Sequence, residues 1–284
     1  MRNGIAGLDH VIVGVRDLEE ARAGWTRLGF TPTPRGRHIG QGTANYCVMF
    51  AADYLELLGL VERDAEALRL DAFLARREGP MAAAFALAEA PEAVHRRLFD
   101  LDLRPSPPRA LGRRIELPEG PVVPRFSLIS LPADETPGLD CFLCGHLTPE
   151  LMRRPEWLVH ANGAVALKGI DVLVADTAPL LSAYDRLFGL PQVTTTDAVV
   201  AIRVGRHRIM FSTPDDFLTM HPGLDLAADF APPGIAALEL AVRAPQRTAA
   251  YFAEQGVDFA ALPDGSLAVP ADAANGAILI FSGE

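Results

Sequence analysis

The chain has 284 residues, 49% hydrophobic and 22% charged, enough to bury a substantial core as one large domain or two ordinary ones; a soluble globular protein is expected. A formal net charge of −10, with no basic run longer than a pair, excludes non-specific nucleic-acid binding, which needs a basic face against phosphates. The longest apolar run, around residues 81–88, is too short and alanine-rich to span a bilayer, and no secretion-type leader opens the chain, so a cytoplasmic protein without a membrane partner is expected. Cys47, Cys141 and Cys144 form no disulfide framework, and the CxxC pair lies in a strand-like run that would turn its two thiols to opposite faces.

In chain order, residues 7–15 alternate as a strand, and the following residues read as a short helix stopped at Gly29. Strand-like pieces at 30–33, 43–50 and 54–60 come next, separated by turn signals. A more worn copy follows: strand 81–87, helix 91–101, a long proline- and arginine-rich stretch 104–124, then strands near 125–131 and 139–145. Residues 147–166 contain Thr148-Pro149 and Arg154-Pro155 and read as a connector. A third copy has strand 169–174 and helix 179–188, and a fourth begins at Gly234 with later strands 258–261, 266–270 and 277–282.

The fourth copy repeats the first without a gap: Gly7 registers with Gly234, Val15 with Val242, Trp25 with Phe252 and Gly29 with Gly256. One helix per three or four strands is an α+β pattern and excludes a doubly wound parallel sheet. The expectation is four tandem βαβββ units, the second most degenerate, arranged as an N-terminal pair (1–146), the connector, and a degenerate C-terminal pair (167–284).

The segments Leu8-Asp9-His10-Val11, Gly42-Thr43-Ala44-Asn45 and Tyr54-Leu55-Glu56-Leu57-Leu58, in this order, resemble the glyoxalase-like proteins of the vicinal oxygen chelate superfamily. So do His146-Leu147-Thr148-Pro149 and His160-Ala161-Asn162-Gly163, and the resemblance covers most of the chain. It implies that units pair into two open, barrel-like curved sheets with helices outside and a ligand inside. In metal-bearing relatives, a His or Gln on the first strand and a Glu on the last strand of a unit bind a divalent ion, and residues of the partner unit complete the set. The superfamily spans isomerases, dioxygenases, epimerases, thiol transferases and metal-free binding proteins, so the resemblance fixes no single function.

Strand parity turns His10 away from the apolar Val11, Val13 and Val15 face and into the cup. A strand histidine can also simply be satisfied by a neighbouring backbone group. Glu56 is the lone carboxylate of an apolar strand, and burial obliges it to find an arginine, histidine or metal partner. His10 and Glu56 are the expected catalytic residues. His38, Thr43 and Asn45, with Arg37 at the mouth, are expected to bind substrate.

The resemblance adds His146 to His10 and Glu56 as a metal ligand, for Zn, Ni, Mn or Fe, although strand register leaves it up to four residues, on the order of 13 Å, from the expected place. The segment 81–85 supplies no second-unit counterpart of His10. Ala237 and Ile280 hold the places of His10 and Glu56 in the fourth unit. The expected function is a glyoxalase-like enzyme, a lyase, isomerase or related metal-assisted catalyst, acting on a small carbonyl- or carboxylate-bearing metabolite. The alternative is a metal-free binding protein of the antibiotic-resistance type. Pairing of units within one chain or across a homodimer stays open.

Overall fold

The computed structural model describes residues 3–62 and 68–284. Every unit folds as β-α-β-β-β. The first comprises β1 (Ile5–Gly14), α1 (Leu18–Arg27), β2 (Gly36–His38), β3 (Thr43–Met49) and β4 (Tyr54–Leu60), and a short helix α2 (Leu68–Leu74) leads to the second. The second comprises β5 (Gly79–Leu87), α3 (Pro91–Phe99), β6 (Arg109–Ile115), β7 (Arg125–Ser130) and β8 (Cys141–His146). The third has β9 (Ala164–Leu173), α4 (Leu180–Phe188), β10 (Val193–Thr195), β11 (Val199–Val204) and β12 (His207–Ser212); after α5 (Pro214–Met220) the fourth has β13 (Gly234–Val242), α6 (Pro245–Gln255), β14 (Ala260–Ala261), β15 (Leu267–Val269) and β16 (Ile278–Gly283).

Units pair within the chain. The first two close a barrel in the order β1-β4-β3-β2-β6-β7-β8-β5, where an open cup was expected; the last two form an eight-stranded sheet, β10-β11-β12-β9-β13-β16-β15-β14. In both halves the first strands of two units run antiparallel side by side, β1 with β5 and β9 with β13.

The helices cover the outside because each unit's first strand offers them one apolar face. Val11, Val13 and Val15 are buried in one cluster with Leu18, Ala21 and Trp25 of α1. Asp17 caps α1 by accepting from the Glu19 and Glu20 amides. After α1, Gly29 takes a left-handed φ of 87° beneath Asn162, whose backbone nitrogen would lie 2.8 Å from any Cβ there.

The structure departs from the expected elements for local reasons. Residues 30–33 form no strand: Pro32 and Pro34 remove two ladder donors, and pairing starts at Gly36. Conversely, the stretch 104–124 contains β6, whose seven residues are free of proline although prolines flank them. The connector does more than join the halves. Its short 3-10 turns, Pro149–Leu151 and Pro155–Trp157, carry Met152 and Trp157 into the interior cluster of the barrel with Cys47, Met49 and Phe126, and β9 already starts at Ala164.

The halves are fastened by buried polar bonds. Asp53, fully buried, accepts from the Leu167 amide at 2.8 Å and pairs with Arg206 and His207, and His207 Nδ1 in turn accepts from the Leu8 amide at 3.0 Å. His160 bridges the Thr31 amide and the Met49 carbonyl. His160 and His207 are thus structural.

Candidate functional site

A β-bulge shapes the site. The register of β1 against β5 shifts between Leu8 and His10, so strict alternation fails there. Leu8 packs into the helix-side cluster, while Asp9 and His10 both meet the barrel interior: Asp9 contacts His146, and His10 stacks on Tyr54 at 4.4 Å between centroids. Cys141 and Cys144 fall in different core clusters, Cys141 on the helix side and Cys144 inside the barrel.

Six side chains in series, with Asn45 joined to the fourth, then form one polar chain through the barrel. His146 Nε2 lies 3.0 Å from Asp9 Oδ1, and Asp9 Oδ2 is 2.7 Å from His10 Nδ1. His10 Nε2 stands 3.5 Å from Glu56 Oε2, and Glu56 Oε1 lies 3.6 Å from His38 Nε2. His38 Nδ1 closes the series on Thr43 Oγ1 at 2.8 Å, and Asn45 Nδ2 donates to Glu56 Oε1 at 2.5 Å. These contacts sit on β1, β2, β3, β4 and β8.

The electrostatics follow from burial and from who donates. Burial pushes the Asp9 carboxyl up, but hydrogen bonds from His10 and His146 outweigh it and leave the group well below the usual carboxylate range. Glu56 behaves alike: against burial, His38, His10, Asn45 and Arg113 hold it below its ordinary value. Burial lowers His38, opposed by Glu56. With Asp9 accepting from Nδ1–H, the Nε2 atom of His10 is the one turned toward Glu56 Oε2.

Of the expected substrate residues, His38, Thr43 and Asn45 join this cluster. Arg37 does not reach it: on β2, Gly36 and His38 face inward and Arg37 faces out, pairing with Glu62 at 2.5 Å. Asp9 and Arg113 were not foreseeable from strand periodicity. Asp9 is hidden by the bulge, and Arg113 by the proline-rich setting of β6; the one available signal was an acidic residue directly before the expected His10. A cavity of about 870 Å³ adjoins the cluster, lined among others by His10, His38, Glu56, Arg113 and Phe142 and reaching Phe73 of α2.

Among the described residues one donor set for a metal is available. At the level of His10 and Glu56 the second unit adds little: Ala84 is the residue opposite His10, and Ala84 pairs with Phe142 as His10 pairs with Tyr54, so Cys144 takes the place of Glu56. One atom each of Asp9, Cys144 and His146, by contrast, lie within 4.8 Å of one another, which among the described residues is the one such group. Oxygen, sulfur and nitrogen donors in a set of three fit a zinc-like ion with an open position.

The second sheet lacks an equivalent. Ala237 pairs with Ile278, which leaves Ala237 and Ile280 in the places of His10 and Glu56. Opposite Ala237 stands Asp171, whose carboxyl burial and the neighbouring Glu239 push well up despite Arg208. Glu239 is itself held by Arg208 through two bonds of 2.7 and 2.8 Å.

The family model of the glyoxalase-like domain matches residues 8–188, more than half of the sequence. The chain belongs to the glyoxalase-like domain family. The fold of this glyoxalase-like protein is that of the vicinal oxygen chelate superfamily. A hypothetical protein from Staphylococcus aureus superposes with a TM-score of 0.67 at 12% identity, over 98% of this chain and 99% of the other. A mutant of 4-hydroxymandelate synthase from Streptomyces coelicolor superposes with a TM-score of 0.59 at 14% identity, over 98% and 92%. A xylose isomerase-like TIM barrel/4-hydroxyphenylpyruvate dioxygenase fusion protein aligns at 13% identity and a TM-score of 0.54, over 98% of this chain and 49% of its own. At these identities the likeness concerns the fold. A comparison with curated proteins finds no match. No helix among the described residues is long and apolar enough to cross a membrane.

Proposed function

We propose that this glyoxalase-like protein is an enzyme that moves a proton on a small carbonyl- or carboxylate-bearing molecule held in the N-terminal barrel, in a lyase or isomerase reaction. The observation that carries the proposal is Glu56: a buried carboxylate held in its ionised form, facing a cavity and flanked by two imidazoles. Burying such a charge costs several kcal/mol unless it is paired, and active sites are where that cost is commonly borne.

Glu56 takes the proton from a carbon next to the substrate carbonyl. Asn45 and His38 hold its carboxylate in place, and His10, oriented by Asp9, receives or returns a proton through Nε2. His146 extends the chain through Asp9 toward the end of β8. Asp9, Cys144 and His146 are the residues that would hold a divalent ion, which would supply Lewis-acid polarisation of a substrate oxygen.

A second reading, a metal-free binding protein, draws support from Ala84, which offers no donor opposite His10. Glu56→Gln separates the two. In the enzymatic reading turnover falls at least about 100-fold while ligand binding survives. If binding is the whole function, no turnover exists to lose.

A further inference from the structure

The buried guanidinium of Arg113 plays no part in the proton chain. It sits on β6, 2% exposed, and lines the same cavity as His10 and Glu56. No described carboxylate forms an ion pair with it. Its Nη1 contacts Cys47 Sγ at 2.8 Å and its Nη2 contacts Met152 Sδ at 3.1 Å, while Nε is buried with no partner among the described residues. Burial pushes the Cys47 thiol up to about 12, so that sulfur carries no charge, and a thioether is a weak acceptor. A fixed cation is therefore enclosed with two weak sulfur contacts and the field of Glu56 beyond ion-pair reach.

Chain packing fixes the guanidinium in place. Gly36 on β2 leaves room for it: a Cβ at Gly36 would come within 2.8 Å of Arg113 Cδ and 2.9 Å of Nε. The flexible Met152 thioether is the readily exchanged partner. A planar fork with spare donors beside a cavity matches a carboxylate. We propose that Arg113 is the anion-binding residue of the N-terminal cavity and that the ligand carries a carboxylate seated there. This rests on the cavity being the working site, and it assigns the substrate to the class of small organic acids whose reacting carbon is presented to Glu56.

The competing role for Arg113 is to offset the charge of Glu56 alone, and binding measurements separate the two. Calorimetry on the full chain near pH 8, where imidazoles of ordinary pKa are uncharged, compares hexanoate with its neutral isostere hexanamide. Wild type is expected to prefer hexanoate by at least about tenfold. E56Q keeps or enlarges that preference, because a like charge leaves the cavity, and R113M abolishes it. Should R113M fail to fold, R113K decides, since an ammonium lacks the bidentate fork: the preference drops at least about threefold.

Absence of a preference in wild type, or an undiminished one in R113M or R113K, overturns the proposal. E56Q protein that binds hexanoate normally and still turns over its substrate instead removes the enzymatic role of Glu56 and leaves the anion site standing.

Discussion

Asp9 Oδ2 accepts from His10 Nδ1 at 2.7 Å although the two residues are consecutive on one strand. A regular strand would send them to opposite faces; the bulge between Leu8 and His10 brings both inside, where Asp9 also meets His146. Asp9 thereby fixes the tautomer and orientation of His10, as an outer carboxylate does for metal-bound or catalytic imidazoles.

Asp9→Asn keeps the shape but replaces an acceptor of two hydrogen bonds with an amide. It is expected to lower turnover by about 10- to 100-fold with little change in substrate affinity. Steady-state kinetics on the purified variant checks this. An effect confined to KM, with turnover intact, would place Asp9 outside the proton chain.

Cys144→Ser tests the ion-binding cluster through metal content. Protein purified without chelator and titrated with Zn, Ni, Mn or Fe is expected to take up one ion, and the serine variant to bind it at least about 10-fold more weakly. Cobalt substitution adds a second readout, because a cysteine ligand produces a sulfur-to-cobalt charge-transfer band that the variant loses. Equal metal uptake by both proteins contradicts the assignment of Asp9, Cys144 and His146.

His160 gives the fold a definite pH dependence. Its Nδ1 accepts from the Thr31 amide, its Nε2 donates to the Met49 carbonyl, and its ring packs between Phe30 and Phe50, so the folded state requires the neutral ring. Burial brings its pKa down to about 4. The unfolded chain takes up the proton below about 6.5, so the stability His160 contributes is complete above that pH and is lost as pH falls toward 4. The loss amounts to about 3 kcal/mol. Urea unfolding across this window is expected to show the slope in wild type and a flatter one in His160→Gln.

Much of the architecture was legible because the repeat survives in the residues that build it: Gly7 and Gly234, Trp25 and Phe252, Gly29 and Gly256 hold equivalent places in their units. Glu56 stood out because an apolar strand tolerates a carboxylate only with partners, and the structure surrounds it with them. Period-two reasoning could not reveal Asp9, since a bulge leaves no mark in the alternation of the strand that carries it. Nor could it reveal β6 and Arg113, where flanking prolines mask a seven-residue strand. His146 lay out of reach on register alone; Asp9 bridges the gap that strand counting left. Arg37 illustrates the converse, a cationic neighbour of the site whose strand parity turns it to solvent.

The proposed chemical step, removal of a proton from carbon by Glu56, is measured most directly by deuterium wash-in, whatever product the enzyme goes on to form. Wild-type and E56Q protein, each incubated in heavy water with a panel of small 2-oxo and 2-hydroxy acids, are followed by proton NMR for loss of the signal beside the carbonyl or carboxylate. Exchange on at least one acid is expected with wild type, and a rate at least about 100-fold lower with E56Q. Exchange that proceeds equally in both proteins, or none with wild type across the panel, contradicts a proton-abstracting role for Glu56.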